Sequence, residues 1–259
     1  HPSDMVVSVH QLPNFPVVWA MGRERRRFVT VVTDMVSTHA AWFNPRADLV
    51  IVPTEQAKER ALTMGLRSDQ VRVVGMPVAE KFTSATGSRD ELRAEFGWPQ
   101  DQPVVLLVGG GDGMGPLGQS VKAIDAGGLP VHLAVVCGRN LKLRADLEAH
   151  NLRLSHSLYG FVREMPEMMR AADVIVTKAG PGTISEAFIA GLPIILYSRL
   201  PGQEDGNVTY VVDEGAGSWA PEPREAAGQN PSATSLPSPA FSESISGVGP
   251  ATSLFRAQR

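Results

Sequence analysis

Short apolar runs alternate with amphipathic stretches along most of this chain. Residues 5–10 (MVVSVH), 28–34 (FVTVVTD), 49–54 (LVIVPT) and 71–78 (VRVVGMPV) are rich in valine and bounded by polar or turn residues, which predicts buried strands. Thr54 precedes a helical pattern that ends at Gly65, so the threonine is expected as N-cap and the glycine at the C-terminus. Residues 83–91 are polar and predict a linker; within it Ser88, with Glu91 three residues on, predicts a capping box at the start of a short helix. A second series of apolar runs follows at 103–111, 131–138, 158–162, 173–180 and 193–198. Strands separated by helical stretches predict parallel βαβ units, so both halves read as doubly wound α/β domains. From about Pro221 the pattern stops. Residues 224–259 are rich in Ser, Pro, Gly and Ala without an apolar period, and are expected to be a disordered or aberrant tail. The expected organisation is a first domain over 1–82, a second over 83–223, and the tail.

Composition narrows the function classes. The chain has 259 residues, room for two modest domains, and a formal net charge of -3, whereas a general nucleic-acid binder is usually basic. Its one cysteine, Cys137, precludes an internal disulfide framework and suits a reducing compartment, so a cytoplasmic setting is expected. No apolar run approaches the roughly 18–20 residues that span a bilayer, and no signal-peptide pattern opens the chain. A strand-like run begins almost at His1, which reads as a start inside a domain.

Two glycine-rich turns carry the candidate chemistry. In an open parallel sheet, ligands bind outside the carboxyl ends of the strands. Both turns follow predicted strands: Gly109 to Pro116 (GGGDGMGP) and Lys178 to Thr183 (KAGPGT). Without Cβ atoms, Gly109, Gly110 and Gly111 let a ligand approach the backbone. After Gly180 and Pro181, Gly182 and Thr183 open a helix whose free amides suit a phosphate. Glu186, about one turn further in, offers a carboxylate to a ribose diol. Each turn alone has a plainer explanation, because glycine turns after strands are common and the helix dipole favours a first-turn glutamate. Both on one sheet edge point to a nucleotide. The first turn lacks G-x-G-x-x-G spacing and neither fits G-x-x-x-x-G-K-[ST], which excludes the dinucleotide and P-loop patterns. No D-x-D pair stands ready for a metal, so helix ends with Lys178 or Arg139 are expected to neutralise a diphosphate, and no metal site is expected. The loop at 201–207 adds Gln203, Glu204 and Asn207, either as partners for sugar hydroxyls or as a polar surface loop. The pattern favours a metal-independent nucleotide-sugar enzyme over a kinase or dehydrogenase.

Taken in order, GGGDGMGP, CGRN, GFV, TKAGPGTISEA, GLPIIL and GQEDGNVTYVV closely resemble the monogalactosyldiacylglycerol synthases of glycosyltransferase family 28. The diacylglycerol glucosyltransferases and the lipid II N-acetylglucosaminyltransferase are relatives of that family. SVHQL, VTDMVSTHAAWF and VIVPTEQAKERALTMGL resemble its acceptor-side domain, and the likeness covers about residues 4–220. The resemblance implies an α/β GT-B fold of two Rossmann-like, doubly wound domains facing a cleft, with the N-terminal domain incomplete here. It implies inverting transfer of a hexose, galactose or else glucose, from a UDP-sugar to diacylglycerol, by a protein peripheral to the membrane and needing no cofactor. By position, Gly109–Gly111 and Gly182 with Thr183 would face the diphosphate. Gly160, Phe161 and Val162 would flank the uracil through their backbone, Glu186 would hold the ribose, and Gln203 and Glu204 would contact the hexose. His10, Asp34, His39 and Trp42 would lie on the acceptor side. The family's glycine-rich loop ending in His, its expected general base, has no counterpart in this sequence, which leaves His10 or Asp34 as substitutes. The family's terminal helices are replaced by the Ser/Pro tail. A non-catalytic UDP-sugar-binding fragment is therefore the alternative from another class.

Three features remain. The cluster Arg23, Glu24, Arg25, Arg26, Arg27, with Trp19 and Phe28 close by, would either meet anionic lipid head groups, each basic residue contributing on the order of 1 kcal/mol, or form a solvated helix end. Trp42 and Phe43 read either as a membrane or acyl-chain contact or as core. The six histidines show no ligand spacing, and Cys137 is expected in the core.

Overall fold

The computed structural model describes residues 3–22, 26–109 and 116–221. They fall into two compact units: the first holds the chain up to Val78 together with Leu200–Tyr210, and the second holds Ala79–Arg199 and the chain from Val211 onward. The line between them lies slightly ahead of the expected boundary at 82/83. The 200–210 segment joins the first unit, although the sequence reading had assigned it to the second.

The first unit contains β1 (Met5–Ser8), α1 (Asn14–Ala20), β2 (Arg27–Val31), β3 (Leu49–Val52), α2 (Glu55–Thr63) and β4 (Val71–Val73). Single 3-10 turns lie at Ala40–Trp42 and Ser68–Gln70. The strands form one parallel sheet in the order β1-β2-β3-β4. Its core gathers Phe28, Val50 and Val52 from the sheet, Ala57 and Ala61 from α2, and Trp42 and Phe43 from the loop between β2 and β3. Thr54 caps α2 as expected, its hydroxyl accepting the Ala57 amide at 3.1 Å. The predicted strands at 28–34 and 71–78 are shorter in the structure, because pairing stops at Val31 and Val73.

The second unit begins with α3 (Lys81–Ser84) and α4 (Arg89–Phe96), so the predicted linker at 83–91 is mostly two short helices and the turn between them. The Ser88–Glu91 capping box is present, and α4 ends at Gly97 in the left-handed region at φ 67, where a Cβ would be strained. There follow β5 (Val104–Val108), α5 (Leu117–Gly127), β6 (His132–Val136), α6 (Leu141–His150), β7 (His156–Tyr159), α7 (Met165–Ala171), β8 (Val174–Lys178), α8 (Pro181–Ala190), β9 (Ile194–Ser198), α9 (Asp205–Asp213), most of which belongs to the first unit, and β10 (Gly217–Trp219). The six strands are parallel in the order β10-β9-β8-β5-β6-β7. Continuous apolar runs suit this sheet because helices cover both faces: β5 and β6 are buried throughout, against Leu117, Val121 and Ile124 of α5 and Leu147 of α6. Asp173 ties the sheet to α4, accepting the Val104 amide at 2.7 Å and the Arg89 guanidinium at 2.8 Å.

Candidate functional site

The strand order of the second unit reverses between β5 and β8. At such a switch point the loops leave in opposite directions and open a crevice at the carboxyl ends of the strands. Gly109, where the first glycine turn begins, and the second turn border it. Gly109, buried, ends β5; Gly110 and Gly111 lie outside the described residues. On the other side Lys178, half-buried, ends β8, and Gly180 is the N-cap of α8 with Pro181 in its first turn. The Ile184 amide donates to the Gly180 carbonyl at 3.2 Å, the bond that starts the helix, so the amides of Gly182 and Thr183 precede the ladder. A Cβ built on Gly182 meets nothing within 4 Å, and its φ is not in the left-handed region. No protein neighbour and no backbone constraint calls for glycine there. Glu186, one turn on, is half-buried; burial pushes its carboxyl above the ordinary range, and Lys81 pulls it back down.

The turns after β6 and β7 form a second group. Asn140 caps α6, accepting the Leu143 amide at 2.9 Å. Beside it the Arg139 guanidinium stacks 4.9 Å from the centroid of the Phe161 ring, which is 57% exposed. Gly160, Phe161 and Val162 leave the end of β7, two strand spacings (roughly 9.5 Å) from β5. The Lys81 ammonium donates to the Arg163 carbonyl at 3.0 Å. Sequence reasoning missed Lys81. It sits in a four-residue helix with no motif around it.

The remaining predicted residues lie in the first unit. Gln203 is exposed, whereas Glu204 and Asn207 are buried, and the Glu204 carboxylate accepts the Leu200 amide at 2.9 Å. The Gly206 amide donates to the Ser37 hydroxyl at 2.9 Å, and a Cβ on Gly206 would lie 2.7 Å from that oxygen. His10 is exposed and its Nδ1 accepts the Leu12 amide at 3.2 Å. His39 caps the 3-10 turn, its Nδ1 accepting the Ala41 amide at 3.0 Å. In both neutral rings the proton then sits on Nε2, the opposite of what a base at that nitrogen needs. Asp34 accepts the Trp42 indole N–H at 2.6 Å. Trp42 and Phe43, each 2% exposed, are core residues, which removes the membrane reading for this pair. Phe28 is also core, whereas Trp19 is 81% exposed. Arg26 and Arg27 are exposed; Arg23, Glu24 and Arg25 lie outside the described residues. Among the described residues no cluster of three His, Cys, Asp or Glu side chains is placed to hold a metal.

Two family models match. The one described as monogalactosyldiacylglycerol (MGDG) synthase covers residues 1–78, and the glycosyltransferase family 28 C-terminal domain covers residues 104–224. Monogalactosyldiacylglycerol synthase 2, chloroplastic, of Arabidopsis thaliana is 42% identical over 235 residues, covering 86% of this chain and 50% of that protein. The chloroplastic monogalactosyldiacylglycerol synthase of Spinacia oleracea is 41% identical over 235 residues, covering 86% of this chain and 45% of its own. The chain thus spans about half the length of the curated relatives it matches. Among solved structures, Acinetobacter baumannii MurG aligns with a TM-score of 0.60 at 19% identity, over 84% of this chain and 60% of that one. Anabaena Alr3699/HepE in complex with UDP-glucose aligns with a TM-score of 0.51 at 17% identity, over 82% and 70%. At such identities the likeness shows the fold, that of the GT-B glycosyltransferases with their Rossmann-like units. With one family model in each half of the chain and relatives above 40% identity, the chain belongs to glycosyltransferase family 28, alongside the monogalactosyldiacylglycerol synthases.

Proposed function

We propose that this chain carries the UDP-sugar site of a lipid glycosyltransferase that moves a hexose, galactose by its relatives, onto the free hydroxyl of diacylglycerol. The observation that carries the reading is Gly182. A glycine that neither fold nor backbone requires, at the head of a helix beside a switch point, suits a ligand that comes up against the chain there. The amides of Gly182 and Thr183 and the α8 dipole suit a diphosphate, with Gly109 on the facing turn and Lys178 and Arg139 supplying positive charge. Glu186 suits the ribose hydroxyls, and the Gly160–Val162 backbone suits the uracil. In the transfer, the bond from the sugar C1 to the UDP oxygen breaks as the acceptor oxygen attacks from the opposite face and gives its proton to a base. The helix amides would stabilise the charge that grows on the departing diphosphate, without a metal.

The lipid side rests on the first unit. Phe15 and Trp19, one turn apart on α1, are exposed, as is Leu12 before them. Arg26, Arg27 and Arg46 are exposed in the same unit, with the Arg46 guanidinium on the Gly22 carbonyl at 2.7 Å beyond the end of α1. Apolar side chains with cations near them suit peripheral attachment to an anionic membrane surface. No helix among the described residues is long and apolar enough to cross a membrane. The test is calorimetric titration with UDP and with ADP. The reading expects UDP to bind at least roughly tenfold more tightly than ADP, about 1.4 kcal/mol; equal binding, or none, would overturn it.

A further inference from the structure

The turn after β7, residues 160–163, is braced from two sides. From the β6 side the Arg139 guanidinium lies over the Phe161 ring. From the other side the Lys81 ammonium donates to the Arg163 carbonyl at 3.0 Å. Lys81 opens α3, which is anchored by the buried Phe82 and packs against α8, the helix that bears Glu186. On its far side the Arg163 amide donates to the Glu164 carboxylate at 2.9 Å, just before α7. β7 is the edge strand and its pairing with β6 ends at Tyr159. One cation therefore holds the turn beside Phe161 and stands within electrostatic reach of a carboxylate on α8.

We propose that Lys81 is a positioning residue for a nucleoside diphosphate, fixing the 160–163 turn through the Arg163 carbonyl from a helix packed against α8. The proposal rests on the nucleotide reading above and adds a residue to it. Burial raises the Glu186 carboxyl above its ordinary range, and the Lys81 charge works against that rise. The elements packed against α8 carry other charges: Glu80 before α3, Glu167 and Arg170 on α7, and Lys178 at the end of β8. Arg170 donates to the Gly87 carbonyl at 3.3 Å, and the Lys81 charge lowers the Glu186 carboxyl.

The experiment is titration of UDP into the wild-type chain, Lys81→Met, Lys81→Arg and Glu186→Gln from about pH 5 to about pH 8. UDP's own phosphate ionisation is common to all four, so differences between proteins report on the protein. Lys81→Met is expected to bind roughly five- to tenfold more weakly near neutral pH. Its loss of affinity on acidification should begin at a higher pH than the wild type's. Lys81→Arg should keep the wild-type profile, and Glu186→Gln should keep only the shallower acid limb that UDP's own ionisation gives, falling less steeply than the wild type. A Lys81→Met profile that is unchanged, or lowered equally at every pH, would overturn the proposal while leaving the nucleotide site in place. A Glu186→Gln acid limb as steep as the wild type's would overturn the proposal by removing Glu186 from the site. Wild-type protein that binds no UDP would overturn both. If Lys81→Met fails to fold, Lys81→Leu removes the donor and the charge together and gives the same reading.

Discussion

At Gly182 the helix would accept a side chain: φ lies outside the left-handed region and the Cβ direction is open. Gly182→Ala should therefore leave stability within about 0.5 kcal/mol, or raise it slightly through helix propensity. It should also weaken UDP binding by roughly tenfold or more, because the new methyl group would stand where the diphosphate approaches. Thermal unfolding and UDP titration on one preparation check both halves. A stable variant with unchanged affinity would take the ligand away from this turn. His132 makes a different case. It is 3% exposed between Ser155 and Ser157, with Nδ1 2.8 Å and Nε2 3.1 Å from their hydroxyls, and burial, with His156 and Arg93, pushes its pKa down to about 4. A folded pKa below the ordinary 6.5 means that protonation favours the unfolded chain. This contribution is whole above about pH 6.5 and is lost as pH falls toward 4, by roughly 2 kcal/mol near pH 4.5. Urea midpoints should drop over that window in the wild type and much less in His132→Asn. Such residues were hard to read in the sequence. Trp42 and Phe28 carry the same aromatic signal as Trp19, yet only Trp19 is exposed, since exposure depends on which loop folds over which strand.

At the scale of elements, the signals that worked were local. The Thr54 cap and the Ser88–Glu91 box depend on hydrogen bonds three residues apart, and the sequence displays those partners directly. β5, β6, β8 and β9 were legible because buried parallel strands read as nearly unbroken apolar runs. The elements that escaped notice lack such signals. α1 has Pro13 and Pro16 around its start, β-branched Val17 and Val18 in its body and no side-chain cap, so packing against the 3-10 turn at Ala40–Trp42 must supply what propensity does not. Lys81 likewise shows its role only through a carbonyl far along the chain. β10 is Gly217-Ser218-Trp219, too short and too polar to read as a strand, and it exists through its pairing with β9. That pairing is close: a Cβ on Gly217 would lie 2.0 Å from the Ile194 carbonyl oxygen. Gly217→Ala should cost roughly 1–3 kcal/mol, because backbone and not a flexible side chain must move. A urea midpoint equal to the wild type's would mean that the edge is looser than this contact implies.

For the whole molecule, order along the chain and order in space part company. The sequence displays five of the six strands of the second sheet in succession, yet nothing in any one of them states that β8 and not β6 takes the far side of β5. That adjacency is what brings Gly109, after β5, and the turn after β8 to one crevice. The lipid side is tested at this scale as well. Phe15→Ser with Trp19→Ser should weaken binding to vesicles containing phosphatidylglycerol, read by co-sedimentation, by roughly a hundredfold or more, from about 1.5–3 kcal/mol for each of the two apolar side chains withdrawn from the interface. Undiminished sedimentation would place the membrane contact elsewhere in the first unit. The reversal of strand order also governs the chain while it is being made. β5 can pair with β6 early, but its other edge waits for β8, roughly 65 residues later, or about 3–13 seconds of synthesis at 5–20 residues per second. Throughout that interval Val104–Val108, the most apolar segment at the centre of the sheet, shows one bare edge to the crowded cell. The arrangement that opens a crevice in the finished protein is a period of vulnerability in the nascent one, and a nascent chain paused before β8 is where a chaperone would be needed.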